Sequence, residues 1–223
     1  YPAIDFKLMM LYQMNLEQCI GCYMCIAKGA EYCPLKDDRE MIVKEMLDAD
    51  GTIFASSVHV NHITAIMKHF IGRVGYESHR PRFFDKYAMS MAVCGGFGAD
   101  IAAKYMDSIF STFGFNMAPS LELQVSTKSE KEKKYNHKKT NDAFDVFIAK
   151  IKKGQRDKPT IQQVVIFNIY KSIALSHKDY FKADYQYYKD KKDYYYDTKI
   201  NFFHKWIANQ EVKKLQKDIA ENR

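Results

Sequence analysis

The sequence predicts an α/β fold, a parallel sheet with helices on both faces, continued by a helical extension. Two observations carry the prediction. Short apolar runs of strand length alternate with segments whose apolar residues recur every three or four positions, the pattern of strand–helix–strand crossovers. One of those runs, KYAMSMAVC at 86–94, ends in the glycine-rich turn GGFG and leads into an amphipathic segment, as a buried parallel strand feeding a helix does.

Taken in order, residues 4–12 (IDFKLMMLY) have the apolar content of a strand, and a cysteine-rich loop follows at 19–33. Residues 37–50 predict a helix with Asp37 or Asp38 as its cap and Met41, Ile42, Met46 and Leu47 on one face. GTIFAS at 51–56 is a short apolar strand. A helix from Asn61 to Arg73 carries Ile63, Ile66, Met67, Phe70 and Ile71, and another follows the glycine turn to Phe113. FNMAPSLELQV at 115–125 is the next strand. The charge-rich stretch 126–140 reads as solvated chain and as a boundary, with helix at 141–153 and a break at 154–159. Residues 1–158 form the first unit and 159–223 the second, in which helical runs near 161–176 and 199–220 flank the tyrosine-rich stretch 179–197.

With 47% hydrophobic and 14% aromatic residues the chain can bury a real core, so it is not a disordered tail. A net charge of +7 points to anionic partners, weakly, because 34 basic residues stand against 27 acidic ones spread along the chain. No apolar run approaches the roughly 18 residues a bilayer-spanning helix needs, and the first residues, YPAIDFKLMM, do not read as a signal peptide. The expected address is cytoplasmic, which disfavours structural disulfides. Across 178–198 five lysines are matched by five aspartates, so the tyrosines there do not line a positive groove and nucleic acid is not an expected partner. They are expected to pack the extension against the sheet or against a neighbouring subunit.

Four of the five cysteines, Cys19, Cys22, Cys25 and Cys33, fall in the stretch CIGCYMCIAKGAEYC, and Pro34 follows. Structural zinc favours two CxxC pairs with a longer spacer between them. Here three cysteines come at successive CxxC steps, a run like that of the bacterial ferredoxins, and Cys33 would close the set around one [4Fe–4S] cluster. That reading is favoured by spacing; zinc, and a loop that binds nothing, stay open. In a parallel sheet ligands sit at the carboxyl ends of the strands. Two such ends are legible, SSVHVNHITA at 56–65 and CGGFG at 94–98, where Gly95 and Gly96 would let backbone approach a flat ligand. Neither stretch is a dinucleotide fingerprint.

The succession CIGCYMC…CPLKDD, then DADGTIFASSVHVNHITAIMKHFIGR, then MAVCGGFGADIAAKYMDSIFSTFGF resembles the flavodoxin-like NADPH-dependent FMN reductases, and among them the iron–sulfur flavoproteins, over about residues 4–125. The resemblance implies a flavodoxin-like three-layer sheet of order 2-1-3-4-5 with FMN at the strand ends. It implies a homo-oligomer, dimer or tetramer, whose subunits wall the flavin site. Ser56, Ser57, Val58, His59, Val60 and Asn61 match the loop that edges the flavin ring, and Cys94, Gly95, Gly96 and Phe97 the second flavin loop. Cys19, Cys22, Cys25 and Cys33 match the cluster ligands. Ser57 stands where proline is usual, His59 where tyrosine is usual, and the spacer before Cys33 is longer than in the compact iron–sulfur version.

The implied activity is electron transfer, with FMN and a [4Fe–4S] cluster exchanging electrons between NAD(P)H or ferredoxin and an acceptor. No side chain is needed as a strong acid or base. A cluster-free NAD(P)H-dependent FMN, quinone or azo reductase is the second reading, and a zinc-binding interaction module the third. No counterpart of the family's first strand and phosphate-binding loop precedes residues 4–12, so residue 1 is expected not to be the natural start.

Overall fold

The computed structural model describes residues 4–127 and 129–221, apart from the side chains of 219 and 220. After a 3-10 turn at Leu11–Gln13, the elements run α1 (Met24–Ala27), α2 (Arg39–Asp48), β1 (Gly51–His59), β2 (His62–Ile63), α3 (Ala65–Arg73), β3 (Tyr87–Cys94) and α4 (Ala99–Thr112). Then follow β4 (Asn116–Met117), β5 (Leu121–Gln124), α5 (Glu130–Lys153), α6 (Ile161–Ser176), α7 (Lys182–Tyr188) and α8 (Phe202–Glu221). No helix among the described residues is long and apolar enough to cross a membrane.

β1 and β3 form the heart of the sheet, parallel and in register from Gly51 opposite Tyr87 to Ser57 opposite Val93. β4 and β5 both lie parallel on the far side of β3, and β2 folds back antiparallel on the end of β1. Strand alternation sorts the side chains into two layers. Phe54, Ala88 and Ala92 point into a core with Ile42 and Met46 of α2, Met67 and Phe70 of α3, and Met106 and Phe110 of α4. Ile53, Met89 and Leu121 point the other way, onto Phe147, Ile148 and Ile151 of α5. α5 comes so close that a Cβ on Gly51 would stand 2.7 Å from the Phe147 ring, which is why β1 begins on glycine.

The extension holds a core of its own. α6 starts in a capping box, the Thr160 hydroxyl taking the Gln163 N–H while the Gln163 side chain accepts from the Thr160 N–H. Its Val164, Phe167 and Ala174 pack with Tyr188, Tyr194, Tyr195 and Ala208. The ring of Phe84, from the sheet unit, sits 5.2 Å from that of Tyr195 and ties the two cores together. Tyr188 donates its hydroxyl to the His79 carbonyl at 2.6 Å, and Arg156 grips Asp85 with two hydrogen bonds.

Three expectations change. Residues 4–12 form no strand, although β2 pairs β1 only at Val58 and His59 and leaves one edge of Gly51–Ser57 without a strand among the described residues. The segment instead lays Met9 and Leu11, with Met14 and Leu16 after them, against the α2–α3 core. The strand expected at 115–125 is broken into β4 and β5 around Ala118-Pro119-Ser120, because proline has no N–H to give the ladder. The stretch 126–140 is mostly helix: Ser129 caps α5 by accepting from the Glu132 N–H at 3.2 Å, and the charged residues form its first half.

Candidate functional site

The parallel register brings the ends of β1 and β3 out side by side, so the loops after Ser57 and Val93 leave the sheet at the same edge. They touch. A Cβ on Gly98, which has φ of 93°, would stand 3.0 Å from the Asn61 Cα and 3.2 Å from Val58 Cγ1. Only glycine allows that approach. The β1–β2 turn has Val60 at φ 48° and Asn61 at φ 62°, the two left-handed residues of a type I′ hairpin. Asparagine tolerates this conformation, but a β-branched valine there stores about 1–3 kcal/mol of strain. Val60 nonetheless stands 99% exposed at the tip, next to the exposed His59 and Asn61.

Of the residues matched to flavin loops, Ser57, His59, Val60, Asn61, Gly95, Gly96 and Phe97 are exposed, and Val58 is half-buried. Ser56 and Cys94 turn inward. The Ser56 hydroxyl accepts the Thr64 N–H at 3.1 Å and donates to the Ser57 carbonyl at 2.8 Å. Thr64 in turn caps α3 by accepting from the Met67 N–H. Ser56 therefore braces the hairpin. A Cβ on Gly95 or Gly96 would meet no atom within 4 Å, and neither has a positive φ, so what these glycines leave is open, flat backbone beside Phe97. Beyond it, the His62 ring meets Tyr105 edge-on at 4.4 Å, and Lys68 donates to the Tyr105 hydroxyl at 2.6 Å.

The cysteine loop runs through left-handed Gly21 and Tyr23 into α1, and through Gly29 into a 3-10 turn that delivers Cys33. Cys19 and Cys22 are exposed, Cys25 is half-buried and Cys33 is buried. Burial pushes the Cys25 thiol up, and the charges of Cys33, Cys19 and Cys22 push it further, with Arg39 opposing. Burial also acts to raise Cys33, but the Arg73 hydrogen bond, the Leu35 N–H and the charges of Arg39 and Arg73 outweigh it, and its thiol is lowered. Among the described residues, no group of three or more histidine, cysteine, aspartate or glutamate side chains is closed into a metal-binding arrangement.

Three arginines hold this loop, and sequence reasoning passed over all of them. Arg73 donates from Nη2 at 2.6 Å and Nε at 3.1 Å to the Asp37 carboxylate, and from Nη1 at 3.4 Å to the Cys33 sulfur. Arg39 donates from Nη2 to the Ala30 carbonyl at 2.8 Å. Arg80 donates to the carbonyls of Cys25 and Ile26 at the end of α1, and to Asp184 of α7, which also takes His79 Nδ1 at 2.9 Å. The only sequence signal was the clustering of arginines at 73, 80 and 82.

A parallel crossover sheet whose strand-end loops meet over open glycine backbone is of the doubly wound α/β class, which takes its ligands at that edge. The similarities are specific. The family model of the NADPH-dependent FMN reductases matches residues 2–130, more than half of the chain, and the chain belongs to that family. It is 28% identical over 187 residues to an iron-sulfur flavoprotein of Archaeoglobus fulgidus, covering 79% of this chain and 80% of that protein. That span reaches into the helical extension. A second iron-sulfur flavoprotein, from Methanocaldococcus jannaschii, is 37% identical over 71 residues, 32% of this chain and 36% of that protein. The fold matches the crystal structure of RosB with a bound formylriboflavin-phosphate intermediate at a TM-score of 0.53 and 11% identity, over 88% of this chain and 77% of that one. The protein is thus an NAD(P)H-dependent flavin oxidoreductase by family, and FMN is the family's flavin.

Proposed function

We propose that this chain passes electrons between FMN, held over the loops 56–61 and 94–97, and a [4Fe–4S] cluster held by Cys19, Cys22, Cys25 and Cys33. The observation that carries the reading is the contact of the two strand-end loops at Gly98 and Asn61, which makes one continuous ledge of exposed backbone. Flavin accepts a hydride in one step and releases electrons singly, and a cluster carries single electrons, so the pair converts two-electron into one-electron transfer. The chain's own work is positional. Exposed Asn61, Gly95, Gly96 and Phe97 edge the ring, Ser56 and Thr64 brace the hairpin beneath it, and the cysteine loop is anchored by Arg73, Asp37 and Arg80. The donor is NAD(P)H or ferredoxin, and the protein works in the cytoplasm as a homo-oligomer.

Cluster-free reduction of FMN, quinones or azo compounds is the second reading, favoured by the lack of a closed metal-binding group among the described residues. Membership of an enzyme family leaves the zinc interaction module without support. Protein purified without air decides between the two. Flavin with iron and acid-labile sulfide near four of each per chain supports the cluster, and loss of both in Cys22→Ser and Cys33→Ser assigns it. Flavin with neither leaves the simple reductase, and absence of flavin refutes both.

A further inference from the structure

The outer rim of the ledge, between α3 and α4, carries donors that the electron transfer above does not use. Lys68 of α3 donates from Nζ to the Tyr105 hydroxyl of α4 at 2.6 Å, and its ammonium stands 5.2 Å from the centre of the same ring. The His62 ring meets Tyr105 edge-on at 4.4 Å. His62 follows Asn61, the residue that Gly98 approaches, so the cluster adjoins the seam where the two loops touch. Both helices start at this edge of the sheet, α3 just after the hairpin and α4 just after the glycine turn. Helical side chains lean toward the amino end, so Lys68 and Tyr105 lean back toward the ledge. The first turn of α3 holds no acidic residue, and that of α4 holds only Asp100, which pairs with Lys104 at 3.5 Å. Lys68 gives one of its three N–H donors to a hydroxyl, which positions the ammonium and leaves its charge to an incoming anion. The amino end of α3 adds its own partial positive charge.

We propose that Lys68, placed by Tyr105 and with His62 beside it, holds the 2′-phosphate of the pyridine nucleotide that reduces the flavin, and so selects NADPH over NADH. The inference rests on the flavin reading above and names residues that reading does not use. The phosphate of FMN has the same chemistry, but the rim suits it less. Lys68 is exposed and the rim is built of side chains, so salt screens it and its hold is loose. A loose hold fits a co-substrate that leaves after each hydride, whereas a resident phosphate is typically held by the backbone N–H groups of a helix amino end. Lys68 is therefore a specificity residue, and Tyr105 a positioning residue acting through it.

The test uses the full chain without flavin, with adenosine 2′,5′-bisphosphate as the probe and AMP, which lacks the 2′-phosphate, as the control. Calorimetry at low salt should show the bisphosphate bound more tightly than AMP by the wild type. Lys68→Met should weaken the bisphosphate about tenfold, the loss of one charge-assisted hydrogen bond, and leave AMP within about twofold. Tyr105→Phe keeps the ring but frees the ammonium, and should cost about threefold through the ordering that the hydroxyl had supplied. Wild-type affinity for the bisphosphate in Lys68→Met overturns the inference, and so does a wild-type chain that binds both ligands equally. Loss of FMN from Lys68→Met with bisphosphate binding intact puts the flavin's own phosphate on the rim and also overturns it. A chain that takes up no flavin refutes the reading above, yet a selective loss of the bisphosphate in Lys68→Met would still support the nucleotide site.

Discussion

Gly98 is where the fold and the site depend on the same missing atom, and its replacement gives a graded test. In Gly98→Ala the new Cβ would stand 3.0 Å from the Asn61 Cα, a backbone atom that cannot swing aside, and 3.2 Å from Val58 Cγ1. The backbone at φ 93° is itself unfavourable for an L-residue, by about 1–2 kcal/mol. Overpacking against a fixed neighbour adds about 1–3 kcal/mol. The smaller of these sums, about 2 kcal/mol, lowers Tm by roughly 4–8 °C for a chain of this size. Gly95→Ala and Gly96→Ala are the controls, since a Cβ at either meets nothing within 4 Å. In flavin-free protein they should unfold within about 0.5 kcal/mol of wild type, yet retain FMN poorly if the ring lies where we propose, because the methyl group would stand in its place. Thermal unfolding of the flavin-free chain, paired with flavin content after gel filtration, reads both effects. Wild-type Tm in Gly98→Ala would refute the contact, and full flavin retention in both controls would refute the ledge.

Two further outcomes follow from the ion pairs. Asp184→Ala removes the carboxylate shared by Arg80 and His79, whose own side chains are mostly buried; loss of one partner of such a pair costs about 3–5 kcal/mol. Limited proteolysis should then cut within residues 19–33 much faster than in wild type, and equal cutting rates would show that α7 does not hold the cysteine loop. Burial acts to raise the Asp37 carboxyl, but Arg73 and the N–H groups of Glu17 and Arg39 hold it below its ordinary 3.8. A carboxyl lowered by folding contributes stability above its unfolded pKa and loses it as pH falls through the folded one. Urea midpoints should therefore drop between about pH 5 and 2, with a shallower drop in Asp37→Asn; parallel curves would remove Asp37 from the acid limb.

The sheet and the meeting of its two strand-end loops were legible because they follow from local pattern. YAMSMAVC is a strand buried along both faces, GTIFAS is a half-buried one beside it, and the crossover rule alone puts the ends of successive parallel strands at one edge. Residues 4–12 misled because strand propensity describes a side chain's fit to an apolar surface, and the α2–α3 core takes Met9 and Leu11 as a sheet would. The first half of α5 was hidden by its charge: Lys133 and Glu130, three residues apart and 2.7 Å from each other, are a helical pair that composition reads as solvated chain. The arginines were illegible for a different reason. Arg73 reaches Cys33 across 40 residues and Arg80 reaches the Cys25 carbonyl across 55, and no local window spans either distance.

The link from α1 through Arg80 to Asp184 also sets an order of events during synthesis. The chain leaves the ribosome amino end first, at about 5–20 residues per second. Arg80 emerges with the carbonyls of Cys25 and Ile26 within reach, but the carboxylate that balances its charge comes 104 residues later. For some 5–20 s the four thiols belong to a nascent loop that is tethered but not yet clamped. That interval is when assembly machinery could load the loop most easily. Once α7 folds against it, the Asp184 carboxylate fixes the loop at α1, while Cys19 and Cys22 at its other end stay exposed.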